Sequence, residues 1–291
     1  MADVTAKAIT IRKVKEDDIA ACGRIVYEAF NSIAQRHGYP PDFPNAEVGT
    51  GGMKMLYGDP GFYGVVAERD GTILGSNWLD ERSTVSGLGP ITVDPAVQDG
   101  GIGRQLMDAI IERSDARGFP GVRLLQAAYH MRSLSLYTKL DFVSREEMVV
   151  MNGVPADPGL ESYAVRPMTL EDIDACNELC IAVHGFHRGG ELPSAIEAGN
   201  AFVAERDGGI VGYTSGLGYF GHSIGETTDA ICALLAFAPH MQSPGILMPV
   251  RNYRLFRWCL DHGMRAVMTM TLMTRGLYQD PDGPYLTSIL Y

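Results

Sequence analysis

The apolar positions of this chain change period from block to block, and the changes mark out elements. Leu106, Met107, Ile110 and Ile111 recur at helical spacing, with Arg104, Asp108, Glu112 and Arg113 largely on the other face. This predicts an amphipathic helix from Gly103 to Arg117, stopped by Gly118 and Pro120. Leu74 to Leu79, Ile91 to Val93 and Val122 to Gln126 are short apolar-rich runs and predict strands. The longest apolar run, Ala230 to Pro239, falls well short of the ~20 residues a membrane helix needs, and reads as a buried strand. Tyr285 to Tyr291 is apolar and β-rich and predicts a closing strand.

The pattern also repeats. Ile11, Arg12, Asp17, Asp18, Ile19, Ala21, Cys22 returns as Val165, Arg166, Glu171, Asp172, Ile173, Ala175, Cys176, a shift of 154 (165 minus 11). Ala67, Glu68, Arg69, Asp70, Gly71, Ile73, Gly75 returns as Ala204, Glu205, Arg206, Asp207, Gly208, Ile210, Gly212, a shift of 137 (204 minus 67). The first marker reads as a short strand, an acidic helix start and an amphipathic helix. The second reads as a hairpin whose Asp-Gly supplies the positive φ angles of a two-residue turn. The change of shift assigns extra residues to the first copy, and the Gly- and Pro-rich stretch Gly38 to Gly61 is expected to hold them as an enlarged loop. Asn152 to Glu161, with Asn-Gly, two prolines and a further glycine, reads as a linker, giving domains 1–151 and 162–291 around a linker 152–161. A chain of 291 residues sits at the upper end of what one core usually supports, which agrees with two domains.

Composition narrows the function. With 46% hydrophobic and 20% charged residues the chain has apolar material for two cores. A net charge of -11 argues against nucleic acid as a partner, because phosphate contacts need clustered Lys and Arg. The five cysteines are odd in number and form no CxxC pair, so a reduced, cytoplasmic setting is expected; Cys176 and Cys180 read as core residues. The N-terminus lacks the basic start and apolar stretch of a signal peptide, and no segment predicts a membrane span. His184 and His187 have no carboxylate or cysteine at metal spacing, and no metal is expected.

The chemistry is carried by Gly89 to Arg104, where a β-branched strand runs into a glycine loop and the loop into the helix. Unpaired amides and the positive end of a helix dipole make such a junction an anion site. A P-loop needs GxxxxGK, and Gly103 is followed by Arg104, Gln105 and Leu106; a dinucleotide fingerprint needs GxGxxG, and its third position is Leu106 counted from Gly101 and Gly103. Gln98, Asp99, Gly100, Gly101, Ile102, Gly103 instead reads Gln-x-x-Gly-x-Gly, which resembles the coenzyme A pyrophosphate loop of the GCN5-related N-acetyltransferase (GNAT) family. Downstream, Ser133, Leu134, Ser135, Leu136, Tyr137, Thr138, Lys139, Leu140, Asp141, Phe142 resembles the family's second signature, with Asp141 in place of Gly, and His130 where Asn is common.

The resemblance implies an α/β (α+β) chain of two GNAT-like domains in tandem. Each would be a mixed, mostly antiparallel sheet with a splayed central parallel strand pair flanked by helices. It implies acetyl-CoA as co-substrate, the thioester near Ile91, Thr92 and Val93, and the pyrophosphate on Gln98, Asp99, Gly100, Gly101, Ile102, Gly103 and Arg104, with Ser133 and Tyr137 completing the cofactor contacts. By the same resemblance Tyr137 protonates the departing thiolate after direct attack by an amine. Asp80 and Glu81, at the end of a predicted strand, are the candidate general bases. The acceptor is a small-molecule amine or a protein or peptide amine; a non-catalytic acyl-CoA sensor is the alternative. Aligning Pro95 with Pro239 sets Gln242, Ser243, Pro244, Gly245, Ile246, Leu247 over the first loop, with Pro249 inside a following helix; separately, Leu277 and Tyr278 resemble Leu136 and Tyr137 without the Lys-Leu-x-Phe sequel. On that alignment the second copy is expected to keep the fold and to bind coenzyme A poorly or not at all.

Overall fold

The computed structural model describes residues 8–98, 100–155, 160, 162–237, 241 and 244–290. Two compact units emerge, Met1–Glu81 with Ser86–Phe119, and Arg82–Val85 with Pro120–Tyr291.

The first unit runs β1 (Thr10–Lys13), α1 (Ile19–Arg36), α2 (Ala46–Gly58), β2 (Phe62–Arg69), β3 (Thr72–Asp80), β4 (Ser86–Leu88), β5 (Thr92–Val93) and α3 (Ile102–Ala116). Strands β1, β2, β3 and β4 are antiparallel neighbours, and β5 pairs with β3 at Gly75 and Ser76. Gly75 is required there, since a Cβ would lie 2.3 Å from the Thr92 carbonyl oxygen. The hairpin turn of β2 and β3 is the expected one: Asp70 and Gly71 sit at φ 53° and 76°. The stretch expected to be an enlarged loop contains α2, because the Asn45 side chain caps the Val48 amide (3.0 Å) and Met53 and Leu56 are buried. Glycine content concealed that helix.

The second unit contains β6 (Gly121–Ala127), α4 (Met131–Thr138), β7 (Val143–Asn152), β8 (Ala164–Pro167), α5 (Ile173–His184), α6 (Leu192–Glu197), β9 (Phe202–Arg206), β10 (Gly209–Thr214), β11 (Ser223–Gly225), α7 (Thr228–Phe237), β12 (Ile246–Pro249), α8 (Tyr253–Asp261), β13 (Arg265–Gly276) and β14 (Tyr285–Leu286). One sheet has the order β14-β11-β10-β9-β8. The other strands of this unit lie as β6-β13-β7-β12, each pair antiparallel. Met270 pairs with Met148, Thr269 with Val149 and Thr271 with Glu147, so β7 and β13 are related by a local two-fold through the methionine pair at an offset of 122 (270 minus 148). Each copy thus lends a strand to the other. Of the linker expected at 152–161, residues 156–159 and 161 lie outside the described residues. The compact units fall elsewhere because β7 takes both neighbours, β13 and β12, from beyond it.

Alternation of side chains along these strands feeds two cores. Met148, Val150, Leu247, Met270 and Leu272 pack with Cys176, Cys180, Val183, Val203 and Tyr213. Val149, Met151, Ile246 and Met248 pack with Ile231, Cys232, Leu235, Leu255 and Cys259 on the other side. All five cysteines are buried and free. No helix among the described residues is long and apolar enough to cross a membrane.

The repeat markers have a shared physical basis. Arg12 holds Asp18 with two bonds (2.6 and 2.9 Å) and Glu68 with one (2.6 Å). Arg166 repeats this on Asp172 (2.7 and 2.8 Å) and Glu205 (2.7 Å). Each arginine therefore ties the first strand of its copy to a helix start and to the hairpin carrying Asp-Gly. The guanidinium bonds are the chief reason that Asp18 and Asp172 stay below the ordinary carboxylate range. A carboxyl whose folded pKa is depressed stabilises fully above its unfolded value of about 3.9 and loses that contribution as pH falls through the folded pKa. We expect Asp172→Asn to lose stability at pH 7 and the difference from the parent to shrink as pH drops below about 4, as read by urea unfolding at a series of pH values.

The second copy departs from expectation in register. Ala230 to Phe237 lies in helix α7, not in a strand, because Ala and Leu favour helix and burial of Ala230 through Leu235 on every side erased the periodic signal. Residues 246–249 form a strand paired with β7, so Pro249 ends β12 and enters no helix. The Gln242 and Ser243 of the earlier alignment, and Pro239, lie outside the described residues. At the offset of 122, helix α8 answers α4, Gly263 (φ 87°) answers Asp141 (φ 65°), and Cys259 answers Tyr137. Leu277 and Tyr278, which follow β13, are no counterpart of Leu136 and Tyr137. The closing strand is shorter than expected, at Tyr285–Leu286 with a further bridge at Thr287; Tyr291 lies outside the described residues.

Candidate active site

In the first unit the candidate residues follow one another as strand, loop and helix. Ile91 precedes β5 and is half-buried; Thr92 is buried, and its Oγ1 has no hydrogen-bond partner among the described residues; Val93 closes the strand. Asp94 turns the chain by accepting from the Ala96 amide (2.9 Å). Gln98 then reaches back, its Nε2 donating to the Val93 carbonyl (3.2 Å), so this side chain braces the loop against the strand end. Asp99 lies outside the described residues. Gly100 is exposed, and Gly101 sits at φ 75° as the N-cap of α3. A residue with Cβ is strained there, and glycine brings no side chain to cap the helix.

The consequence is electrostatic. Gly101 supplies no side-chain cap to the first turn of α3, which begins at Ile102 and Gly103, and the positive end of a helix of 15 residues faces the loop. Arg104 is half exposed and only loosely paired to Asp108 (3.5 Å). This donor set of amides and one guanidinium fits a diphosphate. The helix is fixed from below, since Asn77 Nδ2 donates to the Leu106 carbonyl (3.2 Å) and Ser86 and Ser114 share a buried bond (3.0 Å).

Asp80 and Glu81 end β3 in different surroundings. Asp80 is buried, in register with Gly87 of β4. Glu81 accepts two bonds from Arg113 (2.7 and 2.9 Å), with Arg117 at 3.7 Å. Both of its oxygens are engaged by guanidinium, an anchor between β3 and α3 that a pair of adjacent acids in the sequence does not announce.

In the second unit, Ser133 and Tyr137 lie on α4. The Tyr137 phenol is almost wholly buried beside Phe142 (ring centroids 6.1 Å apart), and burial pushes its pKa up to about 12 against the lowering effect of a hydrogen bond with Ser133. The Ser133 hydroxyl also meets His130 Nδ1 at 2.6 Å. Sequence reasoning missed this contact, although the spacings 130, 133 and 137 place the three on one helical face. Asp141, the departure from the usual glycine, adopts the left-handed conformation that the turn requires (φ 65°) and passes the chain to Phe142, whose amide donates to the Tyr137 carbonyl (3.0 Å). Asp tolerates that conformation better than a β-branched residue does. Asp141→Val is therefore expected to cost about 1–2 kcal/mol in chemical denaturation, while Asp141→Gly stays near the parent.

The sequence profile of the acetyltransferase (GNAT) family matches residues 24–142, which span the glycine loop, α3, β6 and α4. Over those residues the chain is a GNAT domain. A mycothiol acetyltransferase of Streptomyces avermitilis is 33% identical over 92 residues, which cover 30% of this chain and 29% of that protein. Among solved structures, a putative acetyltransferase from Pyrococcus horikoshii superposes with a TM-score of 0.73 at 17% identity, over 97% of this chain and 94% of its own. A tandem GNAT protein from the clavulanic acid biosynthesis pathway superposes with a TM-score of 0.54 at 13% identity, over 92% and 98%. At these identities the structural likeness speaks for fold, and the fold is that of two GNAT-like domains in tandem.

Proposed function

We propose that this chain moves an acetyl group from acetyl-CoA to an amine by direct attack, using the loop of its N-terminal copy. The observation that carries the reading is the start of α3 behind left-handed Gly101, in a chain that also holds Tyr137 in the family's second signature. Gly100, Gly101, Ile102, Gly103 and Arg104 would hold the pyrophosphate with amides and one guanidinium, and Asp99 belongs to the same proposed set. Gln98 shapes the loop. The strand at Ile91, Thr92 and Val93 would carry the thioester arm. Tyr137 would give its proton to the leaving thiolate; dry surroundings raise the pKa of phenol and thiolate alike, which keeps donor and acceptor matched. Asp80 and Glu81 are the acids proposed to receive the amine proton, and Arg113 engages both oxygens of Glu81.

The acceptor is proposed as a small-molecule amine, following the printed name of the Streptomyces relative, with peptide amines as the competing class. The second copy is proposed to bind no coenzyme A: β11 ends at Gly225 and α7 begins at Thr228, so only Glu226 and Thr227 stand where the first copy has its glycine loop. Release of free thiol from acetyl-CoA, followed across a panel of small amines and lysine peptides, tests the proposal. Amine-dependent release is expected; binding of acetyl-CoA with no release on any amine would leave the sensor reading.

A further inference from the structure

Resting on that reading, the structure assigns His130 and Ser133 a part in the reaction: we propose that they form the route by which Tyr137 regains its proton. A phenol that gives up a proton in every turnover must recover one, and Tyr137 is only 6% exposed. Solvent therefore needs an intermediary. Ser133 lies four residues before Tyr137 in α4, on the same helical face, and its hydroxyl meets His130 Nδ1 at 2.6 Å. His130 stands at the N-cap of α4, partly open to solvent, and its side chain caps no amide of that helix. Histidine is the residue whose charge changes most readily near neutrality. Asparagine, the usual family residue here by resemblance, offers a hydrogen bond and cannot carry a proton.

The steps balance without a co-reactant. The thiolate of coenzyme A takes the phenol proton and leaves as thiol. The phenolate takes the Ser133 proton while Ser133 takes the Nδ1 proton of the His130 imidazolium. The neutral imidazole then recovers a proton from water, and the proton lost by the acceptor amine restores the solvent. His130 and Ser133 are positioning and relay residues; Tyr137 alone touches the leaving group.

The test uses the full chain with acetyl-CoA and the best amine of the panel. His130→Asn is expected to lower kcat about 10-fold or more, within the range general acid assistance supplies, with KM for acetyl-CoA unchanged. His130→Gly is expected to fall likewise and to recover in millimolar imidazole, whereas His130→Gly combined with Tyr137→Phe is expected not to recover. Wild-type turnover in His130→Asn would overturn the relay. A slow His130→Gly that imidazole leaves unchanged would overturn it as well, reducing the His130–Ser133 bond to support of the helix start. If Tyr137→Phe alone turns over normally, the proton-donor reading itself has failed, a result distinguishable from failure of the relay alone.

Discussion

Tyr137→Phe is expected to lower kcat by about 10²- to 10⁴-fold, the usual worth of a positioned general acid, with binding of acetyl-CoA and stability close to the parent. The substitution removes one oxygen and keeps the ring that packs on Phe142. Loss of whatever hydrogen bond the phenol makes costs about 1 kcal/mol in folding, so the variant remains folded and its rate reports chemistry. The departing thiolate would then take its proton from water in a site that a buried phenol helps to keep dry. Stopped-flow detection of thiol release under saturating substrates reads the effect. Unchanged turnover would return Tyr137 to scaffolding.

The second large effect is expected at the loop. Gly103→Asp places a carboxylate in the first turn of α3, where negative charge favours the helix by about 0.3–1 kcal/mol. The same charge occupies the amides and repels a diphosphate. Folding stability without ligand is therefore expected to hold or rise slightly, while the stabilisation that acetyl-CoA confers disappears. That opposition is diagnostic, because a variant that merely damaged the loop would lose both. Differential scanning fluorimetry with and without acetyl-CoA measures it, and a Gly103→Asp protein that acetyl-CoA still stabilises as it does the parent would place the diphosphate elsewhere.

Much of this organisation was legible because single residues do several jobs. Arg12 and Arg166 recur since each must satisfy a helix-capping Asp and a hairpin Glu, and Asp70-Gly71 and Asp207-Gly208 recur since the turn demands positive φ at both positions. The loop was legible for a similar reason: Gly101 fills a backbone position that few other residues accept. What escaped reading left no local pattern. Helix α7 is buried all round and so shows no amphipathic period. The exchange of β7 and β13 pairs residues more than a hundred positions apart, and an alternating strand looks the same whichever partner it takes. The register of the second copy was misread because Cys259 stands at the tyrosine position. The clue was present in Asn252 and in His262-Gly263-Met264, which answer His130 and Leu140-Asp141-Phe142 at the offset shown by Met148 and Met270. At the site, Glu81 looked like a free acid because its partners Arg113 and Arg117 lie a helix away in sequence.

The central claim is that the start of α3 receives the diphosphate of coenzyme A, and equilibrium unfolding of the parent chain in the presence of acetyl-CoA tests it most directly. At 100 times the dissociation constant a single site is expected to add about 2.7 kcal/mol to the free energy of unfolding, and desulfo-coenzyme A, which keeps the diphosphate, should stabilise comparably. An unfolding curve that neither ligand displaces, at any concentration up to millimolar, would contradict the account.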